Sequence, residues 1–196
     1  MKNIDHLLMV KEYRIMKNIN KYILEKLRIS KDNIKNTKKT IVANDFHHLH
    51  RIIEQEINQN GVHCSLNHID ISNIEDISYC FFNIRKFDGD ISEWDVSNVK
   101  SMNSMFLKSN FTGKYGDIDG WDVSNVEDMS SMFDSSKFNG DISGWDVSNV
   151  TNMNWMFARC ETFNKDISNW KINKKCAMDS MFLYSSLDEK YRPQKI

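Results

Sequence analysis

The stretch FNGDISGWDVSNVTNMNWMF, Phe138 to Phe157, decides how this chain is built, because it recurs. FDGDISEWDVSNVKSMNSMF begins at Phe87, FTGKYGDIDGWDVSNVEDMSSMF at Phe111 and FNKDISNWKINKKCAMDSMF at Phe163. The tryptophans mark the period: Trp94, Trp121, Trp145 and Trp170 are 27, 24 and 25 residues apart. A weaker copy, IDISNIEDISYCF, runs from Ile69 to Phe81, with Ile69 in the tryptophan slot. Repetition at this period signals an array of similar units, each too small to bury its own apolar face and dependent on its neighbours for a core.

Within a unit the apolar spacing changes. Ile142, Trp145, Val147 and Val150 fall two or three apart, which suits extended chain and turn; Val150, Met153, Met156 and Phe157 then follow as on one helix face. Each unit is therefore predicted to run strand, turn, short helix. Between the two parts, Asp146 to Asn149 supplies side-chain oxygens for the amides of a turn and a helix start. Stacking such units gives an α/β repeat, a short solenoid, and the preference of parallel crossovers makes it right-handed.

These units resemble the BspA-type leucine-rich repeat, found in bacterial surface proteins, mycoplasma proteins, phages and protists; the resemblance covers roughly residues 66–184. It extends upstream, where IVANDFHHLHRIIEQEINQNGVHCSLNHIDISNIEDIS is similar to the leader that precedes such repeats and would serve as a helical N-terminal cap. The family implies a leucine-rich-repeat-type solenoid that binds proteins and carries no catalytic residues. Two features depart from it. No secretion signal is present, and the fourth unit has Lys171-Ile172-Asn173-Lys174 in place of Asp-Val-Ser-Asn, as suits a terminal capping unit.

The N-terminal third reads as helical. Ile19, Tyr22, Ile23 and Leu27 lie at helical spacing within a helix from about Ile4 to Leu27, and the polar, basic Ser30 to Thr40 reads as a linker. A second helix starts after Asn44 or Asp45, keeps Phe46, Leu49, Ile53 and Ile57 on one side and stops at Gly61. The resulting division is an N-terminal helix and linker over 1–40, a cap over 41–66, the repeats over 67–186 and a tail over 187–196. MKNINKYILEKLRISKD, from Met16, also faintly resembles the amphipathic peptides that target tailed-phage proteins into the prohead.

Charge narrows the partners. The net charge of -1 hides an asymmetry: residues 1–60 carry 12 basic and 7 acidic side chains, 61–170 carry 8 and 17, and 171–196 carry 6 and 3. A repeat region this acidic repels nucleic-acid backbones, whose binding rests on neutralising phosphates, so no nucleic acid is expected on the repeats. Charges at Lys2, Asp5, Lys11 and Glu12 interrupt any apolar run long enough for a signal peptide or membrane span, and the chain is expected in the cytoplasm, or in a host cytoplasm or virion if phage-encoded. Cys64, Cys80, Cys160 and Cys176 form no C-x-x-C pair and read as reduced thiols.

Candidate chemistry is sparse. His47 and His50 could form a metal pair on one helix face, with His48, His63 and His68 nearby, but a solvated helix face is the preferred reading. Asp90, Asp117, Asp141 and Asp166 recur at one slot and Asp95, Asp122 and Asp146 at another. Such ladders would invite calcium unless, as is usual in turns, each carboxylate accepts backbone amides. Equivalent environments also make them a poor glycosidase pair. Met102, Met105, Phe106 and their equivalents read as core. No phosphate-binding, nucleophile-elbow or metalloprotease motif occurs, so no catalytic residue, cofactor or metal is assigned.

What the repeat does not dictate is its variable surface. Asp88, Glu93, Lys114, Tyr115, Asn139 and Asn164 differ between units beside the extended part and are assigned to partner binding. Trp155 joins them, because Ser104, Ser131 and Ser180 occupy its slot elsewhere, so the repeat does not require an indole there. The function expected is a non-catalytic protein-binding module, a monomer or weak homodimer. The alternatives are a structural or packaged virion component and a sugar- or calcium-binding protein or enzyme.

Overall fold

A computed structural model describes residues 41–82 and 84–195. The helix expected over Ile4 to Leu27, the linker from Ser30 and the Met16 peptide lie outside the described residues.

β1 (Ile41–Val42) pairs in parallel with β2 (Ile69–Asp70), Ile41 opposite Ile69. Between them α1 spans Phe46–Asn60. Asp45 caps its start, one carboxylate oxygen accepting the His48 amide at 2.8 Å, and Gly61 ends it at φ 87°, a left-handed conformation that glycine adopts without Cβ strain. Leu49, Ile52 and Ile53 are the buried face of α1 and join the core of the repeats.

The predicted α/β solenoid of leucine-rich-repeat type is not what the described residues form. They contain one α-helix, two parallel strands of two residues each and a 3-10 turn at Glu189–Tyr191, and are otherwise turns and loops. No repeat contains the predicted helix. In its place stand successive turns: Met105 N–H donates to Met102 O at 3.2 Å and Ser109 N–H to Phe106 O at 3.0 Å, with Ser104 and Lys108 at φ 53° and 56°. A spacing of three is common to one helix face and to consecutive β-turns, so the pattern at Val150, Met153, Met156 and Phe157 did not separate them. Nor does any repeat contain a regular strand beyond β2; isolated parallel bridges link Asp76, Ser101, Asp128, Asn152 and Ala177 in turn.

Long-range bonds decide the matter against a helix. The amides of Met102, Ser104, Phe106 and Lys108 donate to the carbonyls of Asp128, Ser130, Met132 and Asp134 at 2.8 to 2.9 Å, and so have no bond to give four residues back along their own chain. Met129 to Ser135 donate in the same way to Asn152 to Ala158, and Met153 to Arg159 to Ala177 to Leu183. Alternate residues thus carry each repeat onto the next.

Aromatic side chains fill the space between. Phe81, Phe106, Phe133, Phe157 and Phe182 form one column of near-parallel rings, and Phe87, Phe111, Phe138 and Phe163 a second, interleaved column; centroids along the second are 6.0 to 6.2 Å apart. The four tryptophans that recur at the repeat period lay their rings in the core and donate their N–H to the preceding repeat: Trp94 to Leu66 O, Trp121 to Ile91 O, Trp145 to Ile118 O and Trp170 to Ile142 O, at 3.0 to 3.2 Å. An indole meets both needs of this slot, apolar area and a donor for a buried carbonyl.

Candidate functional site

The aspartates of the repeats are held by their own turns. Asp95 and Asp122 each accept the hydroxyl of the serine two residues on at 2.6 Å and its amide at 3.1 Å; Asp90 and Asp166 do the same with Ser92 and Ser168. Asp141 and Asp146 accept the Ser143 and Ser148 amides, and Asp117 that of Asp119. The Ser124 hydroxyl, then its amide, holds the Asp122 carboxyl below its ordinary range, and Ser148 acts likewise on Asp146. Among the described residues no group of three or more His, Cys, Asp or Glu side chains is arranged to hold a metal ion. His48 Nδ1 accepts the Asn44 amide at 3.2 Å, which ties it to the start of α1. All four cysteines are unpaired thiols, and burial pushes those of Cys80 and Cys160 upward, away from the thiolate that nucleophilic chemistry needs.

The partner-binding candidates divide into one group and two outliers. Asp88, the residue after Phe87, turns its carboxylate onto the Thr112 amide and hydroxyl at 2.8 and 2.9 Å. One repeat further, Asn139 N–H donates to Thr112 O at 3.2 Å, and Asn139 Oδ1 accepts the Asn164 amide at 3.1 Å. Asp88, Asn139 and Asn164 are therefore members of one row, the Asp88 and Asn139 side chains each accepting an amide of the next repeat. Lys114 and Tyr115 rise beside it. The Tyr115 ring packs on His63 with centroids 4.7 Å apart, His63 Nδ1 bonds Asp88 O at 2.9 Å, and Lys114 Nζ lies 5.3 Å from the Tyr115 ring centre.

The second repeat makes this possible by its length. Phe111 to Trp121 is three residues longer than Phe87 to Trp94 or Phe138 to Trp145, and the extra residues are Lys114, Tyr115 and Gly116. Gly113 takes φ 78° at the start of the excursion. At its end a Cβ on Gly116 would lie 2.7 Å from Asp90 Cα, so only glycine lets the chain return this close to the first repeat. The ring is left 49% exposed.

Glu93 sits away from this row, in the turn before Trp94, where its amide donates to Asn67 Oδ1 at 3.0 Å. Trp155 lies in the turn segment, at φ 61° and 38% exposed, with the Arg159 guanidinium 5.5 Å from its ring centre. Arg159 in turn holds the nearly buried Asp134 through both carboxylate oxygens, at 2.9 and 2.6 Å. Four residues absent from the sequence assignment complete the patch around Tyr115: His63, Lys86, Asn110 and Lys137, which line one hollow with Val62, Asp88 and Thr112. The signal was there for three of them, because Lys86, Asn110 and Lys137 share the slot before the phenylalanine and vary in it.

The family comparison reflects the same repeats. A family model described as "Mycoplasma protein of unknown function, DUF285" matches residues 44–133 and 107–191, together most of the chain. The chain belongs to the DUF285 family. DUF285 is related to the BspA-like repeat proteins. Its two matched segments overlap over residues 107–133, which contain the second repeat, and the first begins at the residue before the Asp45 cap. Comparison of this DUF285 chain with curated proteins and with solved structures finds no match.

Proposed function

We propose that the repeats form a non-catalytic protein-binding module of BspA-like kind that docks its partner on the patch around Tyr115. The observation that carries this reading is the exposed Tyr115 ring, set on His63 and flanked by Lys114 in a loop that only the second repeat possesses. The repeat fold does not need that loop: the phenylalanine column keeps its spacing, 6.2 Å before the insertion and 6.1 Å after it. A rigidly seated, half-exposed tyrosine gives large contact area at small entropic cost, which is how aromatic anchors work at protein interfaces. The side chains beside it vary between repeats, whereas the recurring aspartates Asp90, Asp95, Asp122, Asp141, Asp146 and Asp166 are engaged in turns and the recurring tryptophans in the core.

Affinity capture from lysate of the source cells tests this, comparing the wild-type chain with Glu93→Lys, Tyr115→Ala and Trp155→Ser variants made singly. A protein retained by wild type and lost by Tyr115→Ala alone supports the patch. One lost only by Trp155→Ser moves the site to the turn segment, and one that no variant loses removes this surface from the function.

A further inference from the structure

The last turn segment of the repeats, residues 177–184, is engaged on one side only. The carbonyls of Ala177, Asp179, Met181 and Leu183 accept the amides of Met153, Trp155, Phe157 and Arg159 at 2.7 to 3.0 Å, as each turn segment accepts the one before it. Those of Met178, Ser180 and Phe182 close turns with the amides of Met181, Leu183 and Ser185. The amides that would carry the ladder onward, those of Met178, Ser180, Phe182 and Tyr184, meet no acceptor among the described residues. The side chains repeat this asymmetry. Met102, Met129, Met153, Phe106, Phe133 and Phe157 are fully buried, whereas Met178 and Phe182 are half-buried and Tyr184 is 75% exposed.

The two ends of the stack are closed differently. In the first coil, β1 pairs with β2 and the Val62 and Cys64 carbonyls accept the Asp88 and Asp90 amides, so α1, which lies between them in the chain, stands where a turn segment would. It buries Leu49 and Ile53 in the core. At the other end the tail follows only the other half of the coil. Leu187 takes the next phenylalanine slot, Ile167 N–H donates to Tyr191 O at 3.1 Å, and Ile172 bridges to Lys195. No described residue continues the ladder beyond Met178 to Tyr184.

An edge of donors selects its occupant. From Ala177 to Leu183 every carbonyl is already used, so two copies set edge to edge would face amides with amides. The first turn segment of a second copy has α1 in the neighbouring place. What fits is shown three times within the chain: a segment that turns alternate carbonyls toward the edge and lays methionine and phenylalanine side chains in the same layer. We infer that this edge binds a segment of another protein that adds as the next turn segment does, through main-chain hydrogen bonds from Met178, Ser180, Phe182 and Tyr184, its apolar side chains covering Met178 and Phe182. This second docking surface uses no residue of the Tyr115 patch.

The probe is a synthetic peptide of residues 124–136, which includes one turn segment of this chain, added to the full chain and followed by residue-resolved amide hydrogen exchange. In the chain alone, the amides of Met178, Ser180, Phe182 and Tyr184 are expected to exchange fast and those of Met153, Trp155, Phe157 and Arg159 slowly. Peptide at about 1 mM is expected to slow the first four by about tenfold, in the wild-type chain and in Tyr115→Ala alike, and a scrambled peptide to leave them unchanged. No slowing at that concentration, slowing confined to other amides, an equal effect of the scrambled peptide, or loss of the effect in Tyr115→Ala overturns the inference. So does protection of the four amides in the chain alone; protection that grew with chain concentration would assign the edge to a second copy instead.

Discussion

The Trp145 indole N–H donates to Ile118 O at 3.0 Å, reaching back one repeat from a ring that is buried on every other side. Ile118 O also accepts the Trp121 amide at 3.2 Å, so the indole satisfies its second lone pair. Replacing Trp145 by Phe removes the donor and part of the volume while leaving that carbonyl one partner. A loss of about 1 to 2 kcal/mol in urea unfolding is expected. A loss near zero would mean that water or a neighbour takes the indole's place at no cost.

Acid weakens the repeats through their turns. The carboxyls of Asp122, Asp141, Asp146 and Asp166 are held below their ordinary value of 3.8 by the serine two residues on. A depressed carboxyl stabilises the fold above the unfolded-state value, and that stabilisation is lost as pH falls through the folded values. The urea midpoint is therefore expected to be level from neutral pH down to about 5 and to drop below about 4. Asp122→Asn makes the drop shallower; a midpoint that fell instead between pH 7 and 6 would put the sensitivity elsewhere.

Ser180 sits at φ 55°, exposed, with no side-chain bond among the described residues. A left-handed L residue carries strain of about 1 kcal/mol that glycine does not. Ser180→Gly is expected to raise the thermal midpoint and Ser180→Ile to lower it, as thermal unfolding followed by circular dichroism would show. The reverse order would mean that this turn is not left-handed in solution.

Asp134 occupies a slot held by Leu107, Ala158 and Leu183 in other repeats, and it is nearly buried under Arg159. Arg159→Ala leaves that carboxylate with the Ser135 hydroxyl and no cation, at an expected cost of about 1 to 3 kcal/mol. Asp134→Leu combined with Arg159→Ala restores most of it, since the slot accepts an apolar side chain. Equal losses in the single and double variants would show that packing by Arg159, including its contact with Trp155, matters more than its charge.

The parts of this molecule legible in its sequence are those that one side chain dictates locally. Asp45 and Gly61 bracket α1 as their capping chemistry requires, and the phenylalanines, tryptophans and methionines of the repeat form the core that their recurrence predicts. The segment from Val150 to Phe157 has helical spacing without being a helix because its alternate amides, those of Met153, Trp155 and Phe157, are engaged by the carbonyls of Ala177, Asp179 and Met181, which no local period reveals. The patch was half legible. Tyr115 and Lys114 are conspicuous as residues that break the repeat, but His63 reaches them from outside it, and Lys86 and Lys137 join them only because the third dimension aligns slots that the sequence keeps far apart.

Gly113 and Gly116 confine the three extra residues of the second repeat to an excursion that leaves the ring spacing on either side unaltered. The point two residues after the leading phenylalanine of the second unit is therefore a tolerant splice point. Recognition segments of other lengths, set between two such glycines, can be exchanged there without redesigning the scaffold, so that new specificity needs only a short insertion in one unit.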